Sequence, residues 1–332
     1  MMRHVIMSEN MKFTRIAILG ATSHIARGLI YHFSSTPWAS LFLFARSPER
    51  VGSFIAEHGL MSPVEIFDGF ESIHLREYDV IINCVGLGSP PKIKNRKNEF
   101  FRLTEHYDNM VMDYLDKHPA ALYLNMSSGA VYGTDFSQPA EHDRNAILPV
   151  NRITADHFYS IAKINAEAKH RAHPEKNIVD LRVFTYFSRY IDIESGYLIT
   201  EIVKSARDKR KFLTGKSDII RDIVGPADLF SLVCLCIGQR TINTSFDVYS
   251  AGTARKFEIL DFFQNCYGLE YVVDENFSTT DSIGLTLNYY STDTRAKEIG
   301  YVPQYSSLGV IEEEVKSILS GEGGGAEKRH ES

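Results

Sequence analysis

Cysteine and long apolar runs are both scarce in this sequence. There are 4 cysteines among 332 residues. The two that lie close together, Cys234 and Cys236, fall in an apolar run and lack the second ligand pair of a metal site. We therefore expect buried thiols in a reducing compartment, without disulfides or a bound metal. No apolar run approaches the roughly 20 residues that span a membrane, and the N-terminus lacks a signal-peptide pattern, so we expect a cytoplasmic protein with no membrane partner.

Positive charge is not in excess either. The net charge is −6 and no long basic block occurs, so nucleic acid is not an expected partner. The chain is 44% hydrophobic, which is enough for one large domain or two intimately joined ones. The first residues, 1–11, and the Gly-rich charged tail, 320–332, are expected to be flexible ends.

Short apolar runs with β propensity alternate with helical stretches through the first half of the chain. Strands are predicted at 15–19, 41–45, 64–67, 79–85, 121–126 and 179–184, with helices between them. This alternation predicts parallel βαβ units, and hence an α/β fold with a doubly wound parallel sheet. Beyond Phe184 the pattern loosens, and helices are predicted near 196–209, 226–238 and 256–267. We expect a first domain at 12–184, to whose sheet 245–251 returns, and a smaller interleaved C-terminal lobe at 185–318.

The first predicted strand runs into a turn of small residues, "LGATSHIAR". Gly20 begins the turn, and Ser23 and Ala26 hold the second and third glycine places of a Gly-x-x-Gly-x-x-Gly loop. Small residues let backbone N–H groups approach a pyrophosphate, and the N-terminus of the following helix adds positive partial charge. The alternative is an ordinary tight turn between a strand and a helix. The motif predicts a dinucleotide site formed by Gly20, Thr22, Ser23, His24, Ile25 and Ala26.

The end of the second strand, "FLFARSPER", bears on the choice of dinucleotide. An NAD site has an acidic side chain there for the ribose 2′-hydroxyl, whereas this chain has Ala45, Arg46 and Ser47. A guanidinium can bind a 2′-phosphate through two hydrogen bonds. Arg46 and Ser47 therefore predict NADP, with NAD still possible. The alternative is that Arg46 is an ordinary surface arginine.

Two further segments carry hydroxyl groups and a lysine. Tyr159 and Lys163 are four residues apart in a predicted helix, so they share one face of it. By itself this pair is better explained by a tyrosine packed on the lysine stem. Ser127 and Ser128, in "LNMSSGAVYG", end a predicted parallel strand. The carboxyl ends of such strands are where open α/β sheets bind ligands.

Taken together, these motifs resemble the short-chain dehydrogenase/reductase superfamily. The likeness is to its extended branch of nucleotide-sugar epimerases, dehydratases and reductases, the NAD-dependent epimerase/dehydratase family. It covers roughly residues 12 to 318 and rests on "GATSHIAR", "VIINCVG", "SSGAVYG", "YSIAK", "LRVF", "IIRDIVGPADL" and "FDVYSAG", which occur in that order. The resemblance implies a Rossmann-type sheet with a nucleotide-sugar substrate bound to the C-terminal lobe.

The resemblance also implies roles for the hydroxyl groups and the lysine. Tyr159 would be the acid/base, Lys163 its partner, and Ser128 the hydroxyl that holds the substrate oxygen. Free tyrosine has a pKa near 10. A lysine ammonium one turn away and an oxidised nicotinamide would both lower that pKa. Lys163 would also hydrogen-bond the nicotinamide ribose.

Further positions follow from the resemblance. Asp68 would contact the adenine, although a helix N-cap is the alternative there. Arg221 would pair with the substrate diphosphate, and Asp222 beside it is expected to be structural. A homodimer formed through the helices near 98–117 and 155–170 is possible. The segment expected to wall the cofactor ribose consists of Cys84, Val85 and Gly86.

Departures from the family pattern narrow the expected reaction. Thr185 stands in the place of an asparagine that contacts substrate, and no second arginine precedes "LNYYSTDTRAKEIGY". Gly129 and Ala130 stand where dehydratases have an acidic pair, which disfavours dehydration. Together with Arg46, this favours an NADPH-dependent reductase of a 4-keto-6-deoxy sugar nucleotide that serves surface polysaccharide synthesis. A nucleotide-sugar 4-epimerase with tightly bound NAD is the second hypothesis. A non-catalytic NADP-binding redox sensor is the third, and the intact Ser-Tyr-Lys set argues against it.

Overall fold

A computed structural model describes residues 13–60, 64–87, 93, 96–239, 241–275 and 287–320. Seven of the strands form one sheet: β1 (Thr14–Leu19), β2 (Ala39–Ala45), β3 (Val64–Asp68), β4 (Val80–Asn83), β5 (Leu122–Ser128), β6 (Asn177–Val183) and β11 (Asn243–Val248). Their order is β3-β2-β1-β4-β5-β6-β11, and every neighbouring pair is parallel. The α/β fold with a doubly wound parallel sheet, predicted from the sequence, is confirmed.

Helices cover this sheet and form the core of the C-terminal lobe. In the described ranges they are α1 (His24–Phe33), α2 (Pro48–Glu57), α3 (Glu99–Lys117), α4 (Phe158–Arg171), α5 (Leu198–Arg207), α6 (Pro226–Ile237), α7 (Lys256–Tyr267) and α8 (Ser307–Leu319). The remaining strands are short: β7 (Thr185–Tyr186), β8 (Phe212–Thr214), β9 (Ile220–Arg221), β10 (Ile223–Val224), β12 (Ala254–Arg255), β13 (Tyr271–Val273) and β14 (Asn288–Tyr289).

The sheet is buried on both faces, as the uninterrupted apolar strands require. In β1, Ile16 and Ile18 lie in one hydrophobic core, and the alternate residues Ala17 and Leu19 lie in a second core on the other face. This alternation follows from the two-residue period of a strand. Strands of this kind are typical of parallel sheets covered by helices.

The first core also joins the two halves of the chain. Leu29 of α1 and Leu229 and Val233 of α6 belong to it, although α6 follows the strand expected to end the first domain. The lobe has its own core, which includes Ile202 of α5 and Leu260 of α7. Because α6 and β11 both return to the sheet, no single position in the chain separates the two parts.

Most predicted elements have observed counterparts, with ends that differ by a few residues. The short lobe strands have no counterpart in the sequence prediction, since runs of two or three residues carry no readable period. Helix α8, of 13 residues, was also not predicted. Residues 1–11, and all but the first residue of the predicted flexible tail, lie outside the described residues. Cys84, Cys234 and Cys236 are buried free thiols, and Cys266 is an exposed one.

Two kinds of feature are absent from the described ranges. No helix in them combines the length and apolarity that crossing a membrane requires. Nor do these residues include a group of His, Cys, Asp and Glu side chains arranged to hold a metal ion.

Candidate active site

The candidate cofactor site begins where the chain leaves β1 and β4. The sheet extends away from this pair in opposite directions, which leaves a crevice at the carboxyl ends of the two strands. Gly20 follows β1 with φ +74°, and a Cβ atom there would lie 3.0 Å from the carbonyl carbon of Cys84. The left-handed backbone and this close approach both require glycine. The first turn therefore lies directly against the segment that follows β4.

The predicted pyrophosphate loop forms the start of α1. Ser23 is the N-cap, and its Oγ accepts a hydrogen bond from the backbone N–H of Ala26 at 3.2 Å. Ala26 is buried, whereas Thr22 and Ile25 are half-buried. The remaining unpaired N–H groups and the dipole of this 10-residue helix favour an anion at its N-terminus.

His24 adds a neutral polar group at the same place. Burial, together with the charge of Arg27 nearby, lowers the pKa of His24 to about 4, so the imidazole is uncharged near neutral pH. Its ring meets Tyr186 edge-on at a centroid distance of 5.1 Å. Its Nδ1 is buried and has no hydrogen-bond partner among the described residues. This orphaned atom, beside a turn that only glycine can form, fits a bound dinucleotide.

The residues predicted to contact the adenosine half of the dinucleotide lie at the ends of neighbouring strands. Arg46 comes directly after β2 and is exposed, and Ser47 is the N-cap of α2 without a side-chain capping bond. Asp68 is the last residue of β3, and it pairs in register with Ala45 at the end of β2. The next helical turn has Phe70 as its N-cap, so the capping alternative for Asp68 is not what the structure has. Arg46 and Asp68 therefore flank one edge of the crevice.

The segment after β4 is fixed by an asparagine that sequence reasoning missed. Asn83 is buried, its Oδ1 accepts a hydrogen bond from the backbone N–H of Val85 at 3.0 Å, and its Nδ2 donates to the Tyr123 hydroxyl. Cys84 is buried, and this raises the pKa of its thiol to about 12, so it stays protonated. Gly86 is exposed. The predicted ribose wall is thus a short turn held at its base by an amide side chain.

Tyr159 and Lys163 share one face of α4, as their spacing predicts. Lys163 is only 7% exposed, and its Nζ donates a hydrogen bond to the carbonyl oxygen of Met126 on β5 at 2.9 Å. The same Nζ lies 5.9 Å from the centroid of the Tyr159 ring, and that ring packs against Phe100 of α3. An ammonium has three donors, so two remain for other partners. Lys163 is therefore a structural anchor to β5 as well as a cation beside the tyrosine.

Ser128 ends β5 in the middle of the sheet. Its Oγ accepts a hydrogen bond from the backbone N–H of Ala130 at 3.2 Å, which caps the short 3₁₀ turn that follows. A Cβ atom on Gly129 would lie 2.4 Å from the Phe184 ring. This packing leaves no room for a larger side chain at Gly129.

A tyrosine from the lobe completes this group of hydroxyls. The Tyr289 hydroxyl lies 3.2 Å from Ser128 Oγ. Burial raises the pKa of Tyr289, and the proximity of Tyr159 adds to the rise. Burial likewise raises the pKa of Tyr197 to about 12, again with a contribution from Tyr159. Tyr289 thus contacts Ser128 directly and interacts electrostatically with Tyr159, as Tyr197 also does. The sequence did not single out Tyr289 or Tyr197, because neither lies in a recognisable motif.

The lobe also brings Arg221 to this place. Strand β14, which holds Tyr289, pairs with β9, which holds Arg221, and the two residues are partners in the register. Arg221 is 9% exposed, and its guanidinium carbon lies 5.9 Å from the centroid of the Tyr289 ring. Burial lowers its pKa to about 10, which still leaves it charged near neutral pH. A buried cation therefore lies one tyrosine ring away from Ser128.

Asp222, expected to be structural, and Thr185, expected to contact the substrate, differ in their surroundings. Asp222 is buried, and its Oδ1 accepts a hydrogen bond from the backbone N–H of Ser250, which is a structural role. Thr185 is half-buried in β7 and pairs with Ile223. Thr185 directly follows Phe184, whose ring packs against Tyr289.

The chain is similar to one known protein family. The model of the NAD-dependent epimerase/dehydratase family matches residues 16–252, which is more than half of the chain. The chain belongs to this family. The resemblance inferred from the motifs is therefore confirmed. A search of curated proteins found no match.

Solved structures of similar fold include two nucleotide-sugar 4-epimerases and a nucleotide-sugar dehydratase. The UDP-N-acetylglucosamine 4-epimerase from Methanobrevibacter ruminantium has a TM-score of 0.74 at 14% identity, over 94% of this chain and 100% of that one. The dTDP-glucose 4,6-dehydratase from Bacillus anthracis, in complex with NAD, has a TM-score of 0.71 at 17% identity, over 93% and 97%. The UDP-glucose 4-epimerase from Thermotoga maritima has a TM-score of 0.74 at 13% identity, over 92% and 99%.

Proposed function

We propose that this member of the NAD-dependent epimerase/dehydratase family is an NADPH-dependent reductase of a 4-keto-6-deoxy sugar nucleotide. The observation that supports the proposal is the position of Lys163, whose Nζ lies beside the Tyr159 ring and bonds to β5, the strand that ends at Ser128. Arg221 lies just beyond Ser128, as a diphosphate site would require. The three solved structures of similar fold are likewise nucleotide-sugar enzymes.

The proposed chemistry assigns one task to each side chain. A bound nicotinamide supplies the hydride. Tyr159 gives a proton to the substrate oxygen as the carbonyl becomes a hydroxyl, and the Lys163 ammonium stabilises the phenolate that is left. Ser128 donates a hydrogen bond to the same oxygen and so stabilises the charge that develops on it. Because Lys163 is anchored to Met126 on β5, its charge lies at a fixed distance from the tyrosine.

The preference for NADP rests on the end of β2. Arg46 is exposed, and Ala45 is buried where a ribose-binding carboxylate would lie in an NAD site. Among the described residues, Arg46 has no carboxylate partner that would compete with a 2′-phosphate. An exposed guanidinium can rotate to form two hydrogen bonds to a phosphate.

The choice of a reductase over a dehydratase rests on the turn after Ser128. Gly129 cannot carry an acidic side chain, because Phe184 fills the space, and Ala130 has no ionisable group. A 4-epimerase with bound NAD is the second candidate. It is favoured by the 4-epimerases among the solved structures of similar fold.

The test follows the hydride. The purified protein is incubated with NADPH deuterated at C4 and dTDP-4-keto-6-deoxyglucose, with the UDP and GDP analogues in parallel. We expect one deuterium on C4 of the sugar for each NADPH oxidised. An epimerase would instead interconvert 4-hydroxy sugar nucleotides such as UDP-glucose, without net NADPH oxidation and without deuterium in the product. Binding of NADPH without conversion of any of these substrates would refute both enzyme assignments.

A further inference from the structure

The hydrogen bond between Ser128 and Tyr289 can have either hydroxyl as its donor. A hydroxyl has one proton to donate and two lone pairs to accept with. One lone pair of Ser128 Oγ accepts the N–H of Ala130, and the contact with the Tyr289 hydroxyl involves either the second lone pair or the proton. If Ser128 donated to Tyr289, it would have no proton left for a substrate oxygen.

The chemistry of the two hydroxyls favours one direction. A phenol is the stronger hydrogen-bond donor, because its proton is more acidic than that of an alkyl alcohol. Burial keeps Tyr289 protonated, since it raises the pKa of the phenol further above its ordinary value. With Tyr289 as the donor, both lone pairs of the serine are occupied. The proton of Ser128 is then left for a third group.

The position of Tyr289 is fixed by its ring and its backbone. The ring packs edge-on against Phe136 at a centroid distance of 4.7 Å and against Phe184 at 5.2 Å. The preceding residue, Asn288, donates its backbone N–H to the carbonyl oxygen of Phe136 at 2.9 Å. The hydroxyl is thus presented to Ser128 by a clamped ring, so little conformational entropy opposes the contact.

We infer that Tyr289 is a positioning residue: its phenol donates to Ser128 and so directs the serine proton toward the substrate oxygen. The inference rests on the proposed function, because it gives Ser128 the role assigned there. It adds a residue from the lobe, 161 positions along the chain from the serine that it serves. The lobe thereby contributes to the proton arrangement of the site as well as to substrate binding.

A double-mutant cycle tests the inference. Tyr289→Phe removes the phenolic oxygen and keeps the ring between Phe136 and Phe184. With the substrate that the hydride experiment identifies, we expect kcat to fall about tenfold to hundredfold, the range for loss of a supporting hydrogen bond. KM, the melting temperature and NADPH affinity should change little. In a Ser128→Ala background the same substitution should have almost no further effect on kcat, because its target is gone.

A control variant and the pattern of losses in kcat separate the possible outcomes. Tyr290→Phe, at the neighbouring tyrosine, should leave kcat unchanged. Multiplicative effects of Tyr289→Phe and Ser128→Ala, or a wild-type kcat in Tyr289→Phe, would overturn the inference while leaving the proposed function intact. A wild-type kcat in both Ser128→Ala and Tyr159→Phe would overturn the proposed function itself. If the wild-type protein turns over none of the substrates, the proposed function fails and the inference fails with it.

Discussion

A buried histidine offers a sharp test of the electrostatics of the fold. His170 of α4 is 0% exposed. Its Nε2 lies 2.8 Å from Asp108 Oδ1 on α3, and its Nδ1 lies 2.9 Å from Asp180 Oδ1 on β6. Protonated histidine is a donor at both ring nitrogens, so it can bond both carboxylates at once. We predict that the charge of His170, rather than its size, stabilises the contact between the two helices and the sheet.

The pKa of this histidine sets the size of the effect. Although burial alone would lower it, the hydrogen bonds to Asp108 and Asp180 raise the pKa of His170 from 6.5 to about 9. The folded-state pKa is above the unfolded one, so the stabilisation is fully present below pH 6.5 and is lost as the pH rises through about 9. A difference of 2.5 pKa units, from 6.5 to about 9, corresponds to about 3 kcal/mol.

Urea denaturation of the wild type and His170→Gln checks this value. At about pH 6 the variant should lose roughly 3–5 kcal/mol of unfolding free energy, because its neutral amide removes the one cation that the two buried carboxylates share. Above about pH 10 the difference should shrink by about 3 kcal/mol, since wild-type His170 is then neutral too. His106→Gln, at an exposed position of α3, should lose little at either pH. An equal loss for His170→Gln at both pH values would refute the role of charge.

Three further predictions concern the candidate site. Arg46→Ala should weaken NADPH binding by about tenfold to hundredfold, because it removes a charge-assisted bidentate contact, and it should leave NADH binding unchanged. Titration of both cofactors checks this prediction, and equal losses of affinity for the two would contradict it. Tyr159→Phe should lower turnover by about 10²–10⁴-fold with normal cofactor binding, and a smaller loss than in Ser128→Ala would disprove its role as acid. Gly129→Ala, which places a Cβ atom 2.4 Å from the Phe184 ring, should cost roughly 1–3 kcal/mol of unfolding free energy; an unchanged urea midpoint would rule out this clash.

The sheet could be predicted from the sequence because its signals are local. Each strand is a short apolar run followed by a helix, and each helix has its own periodicity, so a window of about 11–18 residues contains the evidence. Gly20 and the pair of Tyr159 and Lys163 are readable for the same reason: a turn and a helical spacing lie within a few residues. Such features depend little on the rest of the fold.

The parts that escaped prediction depend on tertiary contacts. Tyr289 meets Ser128 only because β14 pairs with β9, and both are strands of two residues. Asn83 holds Val85 through a side-chain hydrogen bond that no sequence pattern predicts. The charge of His170 depends on carboxylates from two other elements. The contact of Tyr289 with Ser128 joins residues 161 positions apart, and that of His170 with Asp108 joins residues 62 positions apart, so no local window contains both partners.

The place of β11 beside β6 has a consequence for synthesis on the ribosome. Strand β6 pairs with β5 on one side and with β11 on the other, but the chain reaches Asn243 long after Val183. At about 5–20 residues per second, several seconds pass before the missing neighbour emerges. During that time β6 is an open strand edge of the kind that pairs with other chains. The nascent protein therefore has an interval of vulnerability to aggregation, in which a chaperone that covers this edge would raise the yield of folded chains.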